Sequence, residues 1–156
     1  MKALMRPRAA DSFIFGLLTG SFARLVGRGL VPEHADPDWL YEEAPFAVLA
    51  HDTSNDPRIF YANRAAQACF GYSWMEFIGL PSRLSAEAPD RAARQELLDA
   101  VARDGYVADY RGVRVAKSGR RFWIEQAIVW ELLDADGVRC GQAATFERWV
   151  DLAGRC

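Results

Sequence analysis

Two glutamine side chains are the polar groups best placed to hold a ligand. Gln126 and Gln142 each fall in the inward phase of a predicted strand that is otherwise lined by apolar side chains. A buried amide without hydrogen-bond partners costs about 1–3 kcal/mol, so a ligand, a buried water or a protein group must contact each of them. The pattern raises the hypothesis of a small-molecule pocket, with the candidate lining Gln126, Gln142, Tyr110, Arg83, Phe60, Phe122 and Trp130.

The same residues allow a second interpretation, in which the interior is simply packed. Buried amides usually find protein or water partners. A small pocket filled by Phe60, Phe122 and Trp130 would leave no room for a cofactor. The two interpretations differ in volume, because a ligand sensor needs an enclosed space on the order of a few hundred Å³. The sequence identifies no cofactor, so that question stays unknown.

Catalytic residues do not form a recognisable set. His51, Asp52, Ser54 and Asp56 share one loop, but nothing upstream indicates a strained nucleophile turn. A lone histidine is weak evidence for a metal or haem site. Cys69 lies inside a short predicted helix, where a buried thiol is usually inert. We therefore expect a protein that is not an enzyme and holds no metal.

Composition limits the partners and the compartment. The chain has 156 residues, enough for one domain with a sizeable core. A net charge of −2 argues against binding of nucleic acid through its phosphates. Three cysteines without framework spacing favour free thiols in a reducing compartment, so we expect a cytoplasmic protein. No apolar run approaches the roughly 20 residues of a membrane-spanning helix.

The first part of the chain predicts an amphipathic helix. Phe15, Leu18, Phe22 and Leu25 repeat at a spacing of three and four residues, which places them on one helical face. Residues 27–38 are rich in Gly and Pro and predict a linker. We therefore divide the chain into an N-terminal helix with its linker, residues 1–38, and a main domain, residues 39–152.

The main domain predicts an α+β fold. Two short strands come first, then three helices, then three longer strands, so a five-stranded antiparallel sheet carries its short helices on one face. Two helix starts are well marked, by Asn63 as an N-cap and by a capping box of Ser73 and Glu76. A change of phase near Gly112 predicts a bulge there.

The last two predicted strands form a hairpin with a three-residue loop that ends at Gly137. A register that turns both apolar faces inward places Trp130 opposite Gln142, and Gln126 opposite Phe146. The outer face of the first of these strands then carries Trp123 and Val129. A half-apolar outer face needs a cover, and the N-terminal helix could provide it, packing within one chain or exchanging across a dimer. The expected partner surface is Phe15, Leu18, Phe22, Leu25, Trp123 and Val129.

Several strings resemble a known family. The chain contains YANRAAQACFGYSWMEFIGLP, DYRGVRVAKSGRRFWIE and LLDADGV, which resemble the pattern of PAS domains. Within that class, LYEEAPFAVLAHDTSNDPRIFYANRAA, LPSRLSAE and GRRFWIEQAIVWELLDADGVRCGQAATF resemble the bacterial MEKHLA domain. The resemblance implies a PAS-like fold with a pocket between sheet and helices, and a sensory or interaction role; it names no ligand.

The resemblance also bears on light sensing. In light-sensing PAS relatives the segment that corresponds to GLPSRLS carries a cysteine that forms a flavin adduct. Ser82 is the corresponding residue here, and a hydroxyl cannot form that bond. Arg83 matches the arginine that follows, which could hold a phosphate or carboxylate or lie on the surface with its stem over Leu84.

These observations lead to one expected function and one alternative. We expect a small, non-catalytic sensory module of PAS type that binds a small molecule and signals as a homodimer. The alternative is a ligand-free dimerisation or partner-docking module with a filled core.

Overall fold

A computed structural model describes residues 11–86 and 88–152, and for residues 88–90 it describes the backbone alone. Residues 1–10 of the predicted N-terminal unit, and Cys156, lie outside the described part. The elements in chain order are α1 (Ser12–Val26), a π-helical turn (Trp39–Glu43), β1 (Ala47–His51), β2 (Ile59–Ala62), α2 (Arg64–Phe70), α3 (Trp74–Phe77), a 3-10 turn (Ser82–Ser85), α4 (Ala88–Asp104), β3 (Tyr106–Val115), β4 (Arg121–Leu133), β5 (Arg139–Phe146) and β6 (Arg148–Asp151).

The strands of the described residues form one antiparallel sheet in the order β2-β1-β5-β4-β3. This arrangement confirms the expected α+β fold with five antiparallel strands. A short sixth strand, β6, also pairs with β4 and continues the line of β5 past Glu147. The sequence predicts β5 and β6 as one strand, and the break at Glu147 divides it.

The two helix starts predicted from local signals are confirmed. Ser73 and Glu76 form the reciprocal capping box at the start of α3. The Asn63 side chain caps α2 by accepting from the Ala66 backbone N–H, and it also accepts from the Val48 N–H of β1. Its amide nitrogen donates to the carbonyls of Leu40 and Phe46. Asn63 is fully buried, so four backbone groups from different segments meet on one side chain.

Strand β4 changes faces at a bulge. Gln126 has a φ of 54° and Asp109, across the ladder in β3, has a φ of 56°. The β3–β4 register shifts on both sides of the pair Tyr110–Ala127. Before the bulge Phe122 and Ile124 pack in the cluster of α2 and α3, and after it Val129 lies on the same face and packs against α4. The predicted bulge near Gly112 thus exists as a register shift, but its left-handed residues are Asp109 and Gln126.

The predicted β4–β5 register holds next to the loop, where Leu133 pairs with Arg139, and is wrong by one residue along the rest of the pair. Trp130 pairs with Ala143 and Glu131 pairs with Gln142, whereas the prediction had paired Trp130 with Gln142. Gln126, predicted opposite Phe146, is instead exposed at the bulge. The pairing shifts between Leu132, which pairs with Gly141, and Leu133, which pairs with Arg139, so β5 carries one extra residue there. Separately, the bulge at Gln126 reverses the alternation of side chains along β4, so inward residues after it are odd-numbered. The loop prediction holds, since Gly137 has a φ of 82°.

Helix α1 packs on the face of the sheet opposite the other helices, within the same chain. Leu18 and Phe22 are fully buried, and the Phe22 ring meets the edge of Trp130 with 4.9 Å between ring centroids. The Ser21 hydroxyl accepts from the Leu133 backbone N–H at 2.8 Å and donates to the Leu133 carbonyl at 3.1 Å. Phe15 and Leu25, the outer members of the predicted stripe, are partly buried against the same cluster.

Helix α1 covers the outer sheet face within the same chain, and two residues of the predicted surface, Trp123 and Val129, lie elsewhere. Helix α1 covers Trp130 and Leu132 rather than Val129. Val129 faces inward, where it packs with Leu97 and Val101 of α4. Trp123 lies outside the α1 cluster, and the Arg111 guanidinium stacks over its ring at 3.7 Å. The division at residue 38 stays a prediction.

The contact between α1 and the sheet predicts a large difference between two phenylalanines of one helix. Phe22→Ala removes a ring that is 1% exposed and should lower the free energy of unfolding by about 3–5 kcal/mol. Phe13→Ala is the matched control, because Phe13 is 68% exposed and should change it by less than about 0.5 kcal/mol. Denaturant unfolding measures both, and similar losses for the two variants would contradict this packing of α1.

Candidate functional site

A cavity of about 50 Å³ lies between the inner face of the sheet and helix α4. Strands β1, β4 and β5 form its floor, α4 forms its roof, and the 3-10 turn closes one side. Its lining is Leu49, Ala50, His51, Ile59, Phe70, Ser82, Ser85, Arg94, Leu97, Leu98, Arg114, Ile124, Val129, Gln142, Ala143, Ala144 and Phe146. The wall is mostly apolar, with a few polar groups.

Two buried arginines are the most unusual of these polar groups. Arg94 of α4 is 9% exposed and Arg114 of β3 is 8% exposed. Arg94 donates from Nη2 to the hydroxyl of Ser82, itself buried, at 2.9 Å. The Ser85 hydroxyl donates in turn to the Ser82 carbonyl at 2.8 Å. These bonds fix the Arg94 guanidinium against the 3-10 turn.

Arg114 is held by its own strand. Its Nη1 donates to the Val113 carbonyl at 2.8 Å and its Nη2 donates to the Tyr110 hydroxyl at 3.4 Å. The Tyr110 ring lies across Gly112, where a Cβ would collide with the ring. Gly112 therefore provides the space that lets Tyr110 reach Arg114.

Neither arginine has an ion-pair partner among the described residues. Burial, and next the positive charge of Arg114, lowers the pKa of Arg94 to about 10. This value is far above 7, so Arg94 keeps its positive charge at neutral pH; guanidinium groups in general are not deprotonated in proteins. An isolated buried charge is strongly unfavourable unless an opposite charge accompanies it.

His51 adds an unpaired atom to the same cavity. Its Nδ1 lies 3.0 Å from the Asp52 carbonyl, which identifies Nδ1–H as the donor. Its Nε2 is buried and has no hydrogen-bond partner among the described residues. Burial lowers the pKa of His51, so the ring is neutral at pH 7 and presents Nε2 as an acceptor.

Gln142 also lines this cavity, and protein groups satisfy its amide. Its Nε2 donates to the Leu98 carbonyl at 3.1 Å and to Glu131 Oε2 at 2.9 Å. Glu131 is buried and also accepts from Arg139 Nε at 2.8 Å. The Gln142 side chain thus joins β5, β4 and α4 at one end of the cavity.

The structure places the other predicted pocket residues differently. Phe122 and Tyr110 lie behind the lining: Phe122 packs on Phe70, and Tyr110 packs against Leu97 and Val129 while its hydroxyl accepts from Arg114. Arg83 points away from the cavity and pairs with Asp56 at 3.1 Å. The rest lie elsewhere: Gln126 lines a separate, open cleft of about 290 Å³ beside Phe22 and Arg28, and Phe60 and Trp130 belong to the cluster that α1 covers.

Sequence reasoning missed Arg94, Arg114, His51 and Ser82 as members of one site. A signal existed for the first two. Arg94 stands at helical spacing from the apolar residues Leu97, Leu98 and Val101, so it shares their buried face. Arg114 lies between Gly112 and Ala116 in the inward phase of β3.

The described residues give little support for a metal site or for a reactive cysteine. They contain no group of three or more His, Cys, Asp or Glu side chains that could hold a metal ion. Burial raises the pKa of Cys69 to about 12, so its thiol stays protonated and unreactive at neutral pH. None of the helices in the described ranges is both long and apolar enough to cross a membrane.

Solved structures with this fold are PAS and LOV domains. The PAS domain of a protein from Colwellia psychrerythraea aligns with a TM-score of 0.60 at 19% identity, over 74% of this chain and 92% of that one. The LOV domain of a blue-light activated histidine kinase from Erythrobacter litoralis aligns with a TM-score of 0.55 at 26% identity, over 70% and 98%. The LOV domain of the blue-light photoreceptor aureochrome 1 aligns with a TM-score of 0.55 at 20% identity, over 69% and 78%.

The fold is therefore that of a PAS domain. The family model of the MEKHLA domain matches residues 13–151, and the chain belongs to the MEKHLA domain family. This confirms the resemblance seen in the sequence. A search of curated proteins found no match.

The neutral, buried state of His51 predicts a pH dependence of stability. The folded pKa lies below the value of about 6.5 in the unfolded chain. The unfolded state therefore binds the proton first, and stability is lost as the pH falls below about 6.5. Comparing unfolding at pH 7.5 and 5.5, His51→Gln should lose less stability than the wild type. His34→Gln, at an exposed histidine, is the control; an unchanged loss in His51→Gln would contradict the assignment.

Proposed function

We propose that the chain is a non-catalytic sensory and interaction module in which a small molecule in the cavity changes how helix α1 sits on the sheet. Family membership supports the sensory class, and the light-oxygen-voltage domain of a blue-light activated histidine kinase has the same fold. Flavin photochemistry is not part of the proposal. A cavity of about 50 Å³ is far too small for a flavin, and Ser82 provides no thiol.

The proposal rests on the position of strand β4, which contributes side chains both to the cavity and to the surface that α1 covers. Val129 lines the cavity on the inner face, and Glu131 holds the Gln142 side chain there. Trp130 and Leu132 alternate with these residues and point to the outer face, where α1 packs on them. Any movement of β4 that follows binding therefore reaches α1 through directly packed side chains.

The backbone strengthens this connection. Ser21 of α1 bonds to both the N–H and the carbonyl of Leu133, the last residue of β4. The Glu131 N–H donates to the Gly105 carbonyl just after α4. The end of β4 is thus tied to the roof of the cavity on one side and to α1 on the other.

A second candidate function has one observation in its favour. The cavity is much smaller than the space of a few hundred Å³ expected of a ligand sensor, and Gln142 is satisfied by protein groups. Both facts suit a partner-docking module with a nearly filled core. The charged cavity wall argues the other way, because a filled core gains nothing from two unpaired arginines.

The sensory proposal predicts that the chain retains a compound and that the compound acts on α1. Mass spectrometry of freshly purified, then denatured protein should detect a released small molecule. After removal of that molecule by unfolding and refolding, amide hydrogen exchange in α1 should change by more than about two-fold. Exchange in β2, at the far edge of the sheet, is the internal control. Release of nothing, with unchanged exchange in α1, would favour the docking module.

The homodimer expected from the sequence is proposed to form by exchange of α1. Exchange would bury Leu18 and Phe22 on the sheet of the other copy, as they are buried on their own sheet here. Light scattering should then give twice the chain mass of 17.5 kDa. Phe22→Glu, which places a carboxylate against Trp130, should give the single-chain mass, and Phe13→Glu should keep the dimer. A wild-type protein of single-chain mass would refute the exchange.

A further inference from the structure

We propose that the cavity binds a small organic carboxylate between the guanidinium groups of Arg94 and Arg114. The inference rests on the proposed function, since it concerns the same cavity, and it names the class of ligand. Charge, hydrogen-bonding capacity and size each support it.

The charge of the cavity wall is unbalanced. Arg94 and Arg114 line one cavity, and each of the two residues is less than a tenth exposed. Glu131 is the nearby buried carboxylate, and Arg139 and Gln142 already occupy its oxygens. Two like charges in a largely apolar space repel each other. A bound anion would remove both the repulsion and the lack of a counter-charge.

The arginines also keep unused donors. A guanidinium has five N–H groups, and within the described residues Arg94 makes one hydrogen bond, to Ser82. The planar arrangement of the remaining donors matches the two oxygens of a carboxylate. His51 Nε2 is a buried acceptor without a partner; a carboxylate offers no donor, so the two arginines alone carry the assignment.

The volume of the cavity and the apolar part of its wall limit the ligand further. A single water occupies about 10–15 Å³ on this scale, so a cavity of about 50 Å³ holds a molecule of roughly four heavy atoms. Leu49, Ile59, Leu97 and Val129 form an apolar part of the wall that suits a short alkyl group. A carboxylate head with a short apolar tail fits both parts of the wall, whereas phosphate would leave the apolar part unmatched.

The test is a titration of the whole chain with acetate at constant ionic strength, in a buffer free of other carboxylates and of phosphate. Acetamide, which has nearly the same shape and no charge, and inorganic phosphate are the comparison probes. We expect saturable binding of acetate by calorimetry, with weaker or no binding of the other two. Equal binding of acetamide, or preferred binding of phosphate, overturns the carboxylate assignment.

Variants locate the site. Arg94→Gln and Arg114→Gln should each weaken acetate binding roughly ten-fold or more, as expected for loss of a charge-assisted hydrogen bond. Arg83→Gln is the matched control, because Arg83 is exposed and paired with Asp56 outside the cavity. An equal loss in the control variant places the binding elsewhere and overturns the proposal.

A measurement on the wild type tests the proposal even if the arginine variants do not fold. The side-chain Nε signals of Arg94 and Arg114 in nitrogen-15 NMR should move with acetate and stay with acetamide; unmoved signals overturn the proposal. If the purified chain releases a neutral compound and does not bind acetate, the carboxylate assignment fails and the sensory proposal stands. If it releases nothing and does not bind acetate, both fail.

Discussion

The bulge at Gln126 is the constraint on which the rest of the structure depends. Side chains alternate along a strand, so a regular β4 would have left Trp130 and Leu132 on the same face as Phe122. The left-handed conformation of Gln126 reverses the alternation, and the same strand then lines the cavity on one face and seats α1 on the other. The matching bulge at Asp109 in β3 restores the pairing between the two strands. Without these two bulges, either the cavity wall or the surface that α1 covers would lose its apolar residues.

Much of the fold could be predicted because its signals are local. The Ser73–Glu76 capping box, the Asn63 cap and the Gly137 turn each depend on a few adjacent residues, and all three are present. The bulge at Gln126 has no such signal. A glutamine with positive φ is held there by the packing on both sides of β4 rather than by its own preference. The register of β4 and β5 was predicted one residue away from the observed one for a different reason, since the pairing shifts between Leu132 and Leu133, next to Gly141.

The unpredicted bulge at Gln126 also explains why the candidate site was only partly predicted. A uniform alternation along β4 predicts that Gln126 and Trp130 point inward and that Glu131 points outward. Glu131 in fact points inward and accepts a hydrogen bond from the Gln142 amide. The arginines were missed for a different reason, since charged side chains are seldom fully buried without a partner. Arg94 nonetheless shares the helical face of Leu97 and Val101. A charge at helical spacing within an apolar stripe is the signal that could have placed Arg94 in the core.

The central claim is that the charged cavity is a binding site rather than an irregularity of the core. A high-resolution crystal structure of the freshly purified chain, grown without carboxylate or phosphate, tests it most directly. The account predicts density for a bound anion within hydrogen-bond distance of both Arg94 and Arg114, with Ser82 still bonded to Arg94. Density for water alone, or guanidinium groups turned out to solvent over a closed cavity, would contradict it.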